Sequence, residues 1–127
     1  MSAKERRKGA AGELEVAKIL QAHGFDARRT PNSGGLAWRG DIAGVPGYCI
    51  EVKRQETLRV PEWLRQAYAA AGSGEVPVVV FRRSWSGTGA DGLLHRWHAI
   101  IPLDELARLL HTRYEEGSNG ETSVEST

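Results

Sequence analysis

The sequence predicts an α/β domain with a mixed central sheet flanked by helices, and three observations point there. Residues 76–81 (V-P-V-V-V-F) form an almost continuous β-branched run, the pattern of a central strand covered on both faces. Residues 48–53 alternate instead, with Tyr48, Ile50 and Val52 on one face and Cys49, Glu51 and Lys53 on the other. Two further stretches, 9–23 and 61–71, carry helical spacing. Read in order, the chain is helix, three strands, helix, strand, strand, helix.

The first helix is expected over residues 9–23, behind a short basic arm at 2–8 that contains Lys4, Arg6, Arg7 and Lys8. That arm is either a solvated terminus or a contact for phosphates. At 100° per residue Val16, Ala17 and Leu20 centre the apolar stripe, Leu14 and Ile19 flank it, and Glu15, Lys18, Gln21 and Ala22 face outward. Glu13 falls inside the stripe. There it is costly unless paired, or it bends out to water as a helix-dipole residue. Gly24 ends the helix as a left-handed cap. A strand over 25–30 and a turn-rich loop over 31–37 follow. The strand pair at 39–55 comes next, then a helix opened by Pro61 at its first position. In that helix Trp63, Ala67 and Ala70 share a face, and Gly72-Ser73-Gly74 closes it. After the central strand come a loop over 84–92, a strand over 93–101 and a short helix over 102–110.

Composition bounds the rest. A chain of 127 residues makes one domain, placed at 1–112, with 113–127 as a disordered acidic tail lacking apolar periodicity. Residues 1–66 hold 12 Lys/Arg and 8 Asp/Glu, a net of +4, and the segment from Glu115 holds four Glu and no base. The body is therefore +5 against +1 for the whole chain, a mild pull towards polyanions. Cys49 is the only cysteine, which excludes an intrachain disulfide and suits a reducing, cytoplasmic setting. No apolar run approaches a membrane span, and no signal-peptide core is expected, so no membrane partner is foreseen.

The chemistry concentrates in R-G-D-I-A-G-V-P-G-Y-C-I-E-V-K-R-Q, residues 39–55. A half-buried strand would simply put its charges in water. Asp41, however, begins the partner strand, and the turn folds it back towards Glu51. Two carboxylates beside the Lys53 ammonium can hold a hard divalent cation such as Mg²⁺, which keeps several waters and accepts a substrate phosphate. The two acids share a face only with a three-residue loop, Val45-Pro46-Gly47, pairing Gly44 with Tyr48 and Asp41 with Glu51, or with a bulge. A two-residue Pro46-Gly47 turn would separate them. Lys53 would sit beside the phosphate to orient water or stabilise developing charge. Arg54 and Gln55 follow as candidate DNA contacts, and Gln66 on the next helix faces the same site. His95 and His98 read as structural or DNA-facing, since an H-x2-H spacing in a strand points to opposite faces. Trp85 either stacks on a base or anchors its loop.

R-K-G-A-A-G-E (7–13), G-F (24–25), R-T-P-N-S (29–33), G-D-I (40–42) and C-I-E-V-K (49–53), taken together, resemble the archaeal-type Holliday junction resolvases. These belong to the PD-(D/E)XK nuclease superfamily and have phage and prophage relatives. The likeness covers residues 7–82, with Gly40 where the superfamily name has proline. It implies a restriction-endonuclease-like fold and a Mg²⁺-dependent endonuclease, with Mn²⁺ as a substitute and one or two ions per site. It also implies a homodimer acting on branched DNA, a four-way junction. Glu13, Asp41 and Glu51 would be the acidic metal residues and Lys53 the catalytic lysine. Arg29 and Ser33 would match the arginine and loop serine near the scissile phosphate. Another nuclease task (flap, mismatch or nicking) and a non-catalytic DNA-binding module are the other readings. For the dimer interface, Val78 to Phe81, Trp97 and the Trp63 helix are candidates.

Overall fold

A computed structural model describes residues 2–31, 40–84 and 89–125. The first helix, α1 (Ala3–Ala22), starts six residues earlier than its apolar spacing suggests. Ser2 is the reason. Its hydroxyl accepts from the Glu5 N–H (3.1 Å), and the Glu5 carboxylate accepts from the Ser2 N–H (3.3 Å). This reciprocal capping box stabilises a helix start by about 0.5–2 kcal/mol. The basic arm is thus the first two turns of α1. At the other end Gly24 takes φ +94°, and Gly24 and Phe25 donate to the carbonyls of Gln21 and Leu20 at 3.0 and 3.1 Å. That is a Schellman stop.

The sheet follows as β1 (Arg28–Arg29), β2 (Ile42–Ala43), β3 (Tyr48–Arg54), β4 (Val76–Arg82) and β5 (His98–Ile100), ordered 1-2-3-4-5. β1, β2 and β3 are antiparallel neighbours, β3 and β4 are parallel, and β5 returns antiparallel to β4. The parallel pair requires a crossover. It is supplied by α2 (Val60–Ala70), which Pro61 opens as expected. Helices on both faces of a five-stranded mixed sheet give the restriction-endonuclease-like arrangement.

Each face of the sheet has its own core. On one, Val16 and Ala17 of α1 meet Ile42, Ile50, Val52 and Val78. On the other, Trp63 and Ala67 of α2 meet Val79, with Phe81 and Ile100 beside them. Full burial of a side chain of this size stabilises by roughly 1.5–3 kcal/mol, and Trp63 and Val79 are among the most completely buried. Trp63 and the Val78–Val79 pair therefore belong to the core and are not free for a subunit interface. Trp97 packs against the α1-side core and lies under the Arg82 guanidinium, 5.8 Å from its ring centre.

Several boundaries differ from the sequence reading. The strand expected over 25–30 is only two residues long, and Phe25 is exposed. The strand expected over 93–101 is preceded by a short helix α3 (Ala90–Leu93) and begins only at His98. The last helix, α4 (Leu103–Glu125), runs on through the segment read as a disordered tail. An i,i+4 pair between His111 and Glu115 (3.1 Å) and a Thr112 hydroxyl bond to the Arg108 carbonyl (3.1 Å) carry it past Leu110. Leu14 and Ile19 are exposed, whereas Glu15 is partly buried against the sheet. Among the described residues, no helix is long and apolar enough to cross a membrane.

Candidate active site

Ile42 pairs with Ile50, the pairing that a three-residue loop gives, but Asp41 does not continue the regular ladder, because its N–H donates to the Ile50 carbonyl (2.7 Å). That departure is of the bulge kind, and a carboxyl hydrogen bond joins Asp41 to Glu51. Two glycines make it possible. Gly44 takes φ +94°, and a Cβ there would lie 1.8 Å from the Asp26 carbonyl oxygen. Gly40, at φ +70°, comes so close to β3 that a Cβ would lie 2.8 Å from the Ile50 carbonyl oxygen. Glycine tolerates both the left-handed backbone and the close approach, which accounts for glycine at the position before Asp41.

Asp41 is fixed by its backbone and by its side chain. Its N–H donates to the Ile50 carbonyl (2.7 Å), its carbonyl accepts from the Thr30 N–H (3.0 Å), and Oδ2 accepts from the Val52 N–H (2.8 Å). Glu51 stands beside it, partly buried. Burial pushes the Glu51 carboxyl up to about 7, reinforced by the Asp41 charge and a hydrogen bond to Asp41, and opposed by Lys53. Glu13 reaches the same place from α1. Its carboxyl is raised by burial first and by Asp41 second, while Arg29 and Lys53 pull it down. The Arg29 Nε donates to Glu13 Oε1 at 3.0 Å, so the helix glutamate inside the apolar stripe is paired.

Lys53 and Arg54 leave β3 on opposite faces. The Lys53 ammonium donates to Gln66 Oε1 on α2, a short contact, so Gln66 does face this site. Arg54 turns to the α1 side, where it donates to Glu15 Oε2 (2.9 Å) and Ser84 Oγ (3.0 Å). An open cleft of about 620 Å³ covers the region, with Arg6 and Lys8 of α1, Arg29, Lys53, Gln55 and Arg59 along it. Lys8 also pairs with Glu56 (2.9 Å), and Arg7 is exposed on α1. Ser33 and Trp85 lie outside the described residues. His95 precedes β5, and the His98 ring lies 6.0 Å from that of Phe81. Sequence reasoning missed Glu15. Only the packing of α1 shows that its carboxylate points at Arg54 and Arg82.

The donor set suits a hard divalent cation. Two carboxylates that crowd until one holds a proton near neutrality form a site where such a charge relieves repulsion. Among the described residues, no three of His, Cys, Asp and Glu stand as a finished cage. That is compatible with Mg²⁺, which is commonly held by one or two carboxylates, waters and phosphate. A mixed sheet, an acidic pair where β2 meets β3 and a lysine two residues on define a PD-(D/E)XK nuclease core. The chain belongs to the family described as phage putative PDDEXK endonuclease, whose model matches residues 4–116. A comparison with curated proteins finds no match. Nucleases of this superfamily generally depend on a divalent metal.

Proposed function

We propose that this endonuclease is Mg²⁺-dependent and structure-selective, resolving four-way DNA junctions by paired phosphodiester cleavage as a homodimer. The observation that carries the catalytic part is Asp41 hydrogen-bonded to Glu51, with the Lys53 charge beside them. A bound Mg²⁺, or Mn²⁺ in its place, would supply charge neutralisation at the phosphate and a water of lowered pKa. Asp41 and Glu51 would hold it, with Glu13 at the rim. Lys53, steadied by Gln66, orients the attacking water or stabilises charge on the phosphoryl oxygens. Arg29, which bonds Glu13, would contact the phosphate, as would Ser33 by resemblance. Arg6, Arg7 and Lys8 on α1, with Gln55, would follow the DNA backbone without reading its sequence.

The choice of a junction rests on the ordered motif set Glu13, Arg29, Ser33, Asp41, Glu51 and Lys53. A two-fold symmetric substrate needs two opposed nicks, which a C2 pair of sites provides. Apolar surface for a second copy is available on α4, where Leu103 and Tyr114 are 76% and 72% exposed and Leu106 and Leu110 lie between them. Cleavage of four-way junctions, flaps and linear duplex in Mg²⁺, with light scattering of the free and bound protein, tests both parts. Paired cuts by a dimer on the junction are expected. Preferential cutting of flaps or duplex, or a monomer on the junction, assigns a different nuclease task.

A further inference from the structure

We propose that Glu15 is the positioning residue of this site, a brace that sets the rotation of α1 and thereby the placement of Glu13. The inference rests on the nuclease reading and deepens it. Three donors from three places converge on the Glu15 carboxylate. Arg82 NH1 of β4 (2.8 Å) and Trp97 Nε1 (3.3 Å) donate to Oε1, while Arg54 NH1 of β3 (2.9 Å) donates to Oε2. The arginine side chains are only 14% and 22% exposed, so these are not the loose surface pairs that contribute little.

Glu13 lies within the buried stripe, between Val16 and Ala17, while Glu15 stands outside it beside Gly12. The stripe is tied through Glu13 to Arg29, and the helix side next to it through Glu15 to Arg54 and Arg82. The stripe itself is made of small residues, and at Gly12 the helix comes unusually close. A Cβ there would lie 3.2 Å from the Arg54 Cβ and 3.3 Å from the Trp97 ring. Small apolar contacts resist separation of helix and sheet but only weakly resist rolling. A side chain tip stands about 5–6 Å from the helix axis, so a roll of about 10° moves it by about 1 Å. A displacement of about 1 Å in a reacting constellation is enough to cost on the order of a hundredfold in rate. The ion pairs of Glu13 and Glu15, on widely separated bearings about the helix axis, remove that freedom. Arg54, directly after Lys53, lines the cleft and also serves the brace.

Glu15→Gln removes the charge that holds two half-buried guanidinium groups together. Glu15→Asp keeps the charge, and with it the fold, but shortens the reach by one methylene. Both are expected to lower junction cleavage by roughly 10- to 100-fold. Both should weaken Mn²⁺ binding severalfold by calorimetry and leave DNA affinity and its salt dependence unchanged. Folded variants with wild-type turnover and wild-type Mn²⁺ affinity would overturn the assignment. A wild-type protein that cuts no DNA would overturn the nuclease reading alone, and the Mn²⁺ measurement would still decide the role of Glu15.

Discussion

Two carboxylate clusters among the described residues are tuned in opposite directions. Between β2 and β3 Glu51 is raised to about 7 by burial and by Asp41, with Lys53 opposing. At the start of α4, Glu105 is lowered to about 2 by hydrogen bonds from Arg108 and then from Tyr48. Arg108 donates from Nε (2.9 Å) and NH2 (2.7 Å) to the two Glu105 oxygens, and its NH2 also bonds the Tyr48 hydroxyl at 3.1 Å. The second cluster is complete, since every carboxylate oxygen has a donor and the charge is matched. It clasps α4 to the start of β3. The first carries surplus negative charge, which a proton or a further cation relieves. Unrelieved repulsion, not burial or acidity as such, marks it as the candidate site.

The largest contrast is expected in catalysis. Asp41→Asn, Glu51→Gln or Lys53→Ala should lower cleavage by on the order of a hundredfold or more while DNA binding persists. Glu105→Gln should leave turnover intact and lower the melting temperature. Near wild-type cleavage by the Asp41→Asn protein would break the assignment of the first cluster.

Glu13→Gln comes next. As a member of the site it should lose on the order of tenfold or more in metal-dependent turnover while staying folded. As a helix-dipole residue it would cost less than about 1 kcal/mol of stability and leave turnover alone. Thermal melts run beside turnover measurements separate the two.

The clusters should also respond oppositely to pH. Glu51, raised above its ordinary 4.5, holds a proton in the folded protein that the unfolded chain has released. Metal-free stability from this group is therefore present below about 4.5 and declines as pH rises through about 7. Glu105 is lowered, so its contribution is present above 4.5 and is lost as pH falls towards about 2. Because Glu51 must lose its proton to bind a cation, Mg²⁺ or Mn²⁺ affinity should rise with pH through about 7. Denaturation curves of the wild type, Glu51→Gln and Glu105→Gln proteins across this range test the signs. Glu51→Gln should abolish the neutral-pH decline and Glu105→Gln the acid one.

The smallest effect belongs to the basic half of α1. Alanine at Arg6, Arg7 and Lys8 together should weaken binding to every DNA alike and flatten its dependence on salt, by roughly 0.9 in slope for each phosphate left without a basic partner. A sequence-dependent loss at constant slope would assign those residues to base contacts instead.

Local rules determined much of this protein from the sequence alone. Period-two alternation placed Glu51 and Lys53 together on one face of β3, the β-branched run made β4 an interior strand of the sheet, and Pro61 opened α2. The capping box at Ser2 and Glu5 was equally legible, because it needs only four consecutive residues, although apolar spacing alone hid it. The continuation of α4 was not, since its outer face has no apolar period to announce it.

What required tertiary structure is whatever depends on where one element lies against another. The sequence left open the loop length, and with it whether Asp41 and Glu51 share a face; the Ile42–Ile50 pairing, the Asp41 N–H bond to Ile50 and the left-handed backbone at Gly40 and Gly44 bring them together. An isolated helix gives Glu15 and Lys18 the same outward claim. Only the approach of α1 at Gly12, close enough for Arg54, Arg82 and Trp97 to reach across, turned Glu15 inward. Side-chain periodicity is fixed by backbone geometry within a few residues. The partners of a long charged side chain are fixed by distances between elements, which no local pattern encodes.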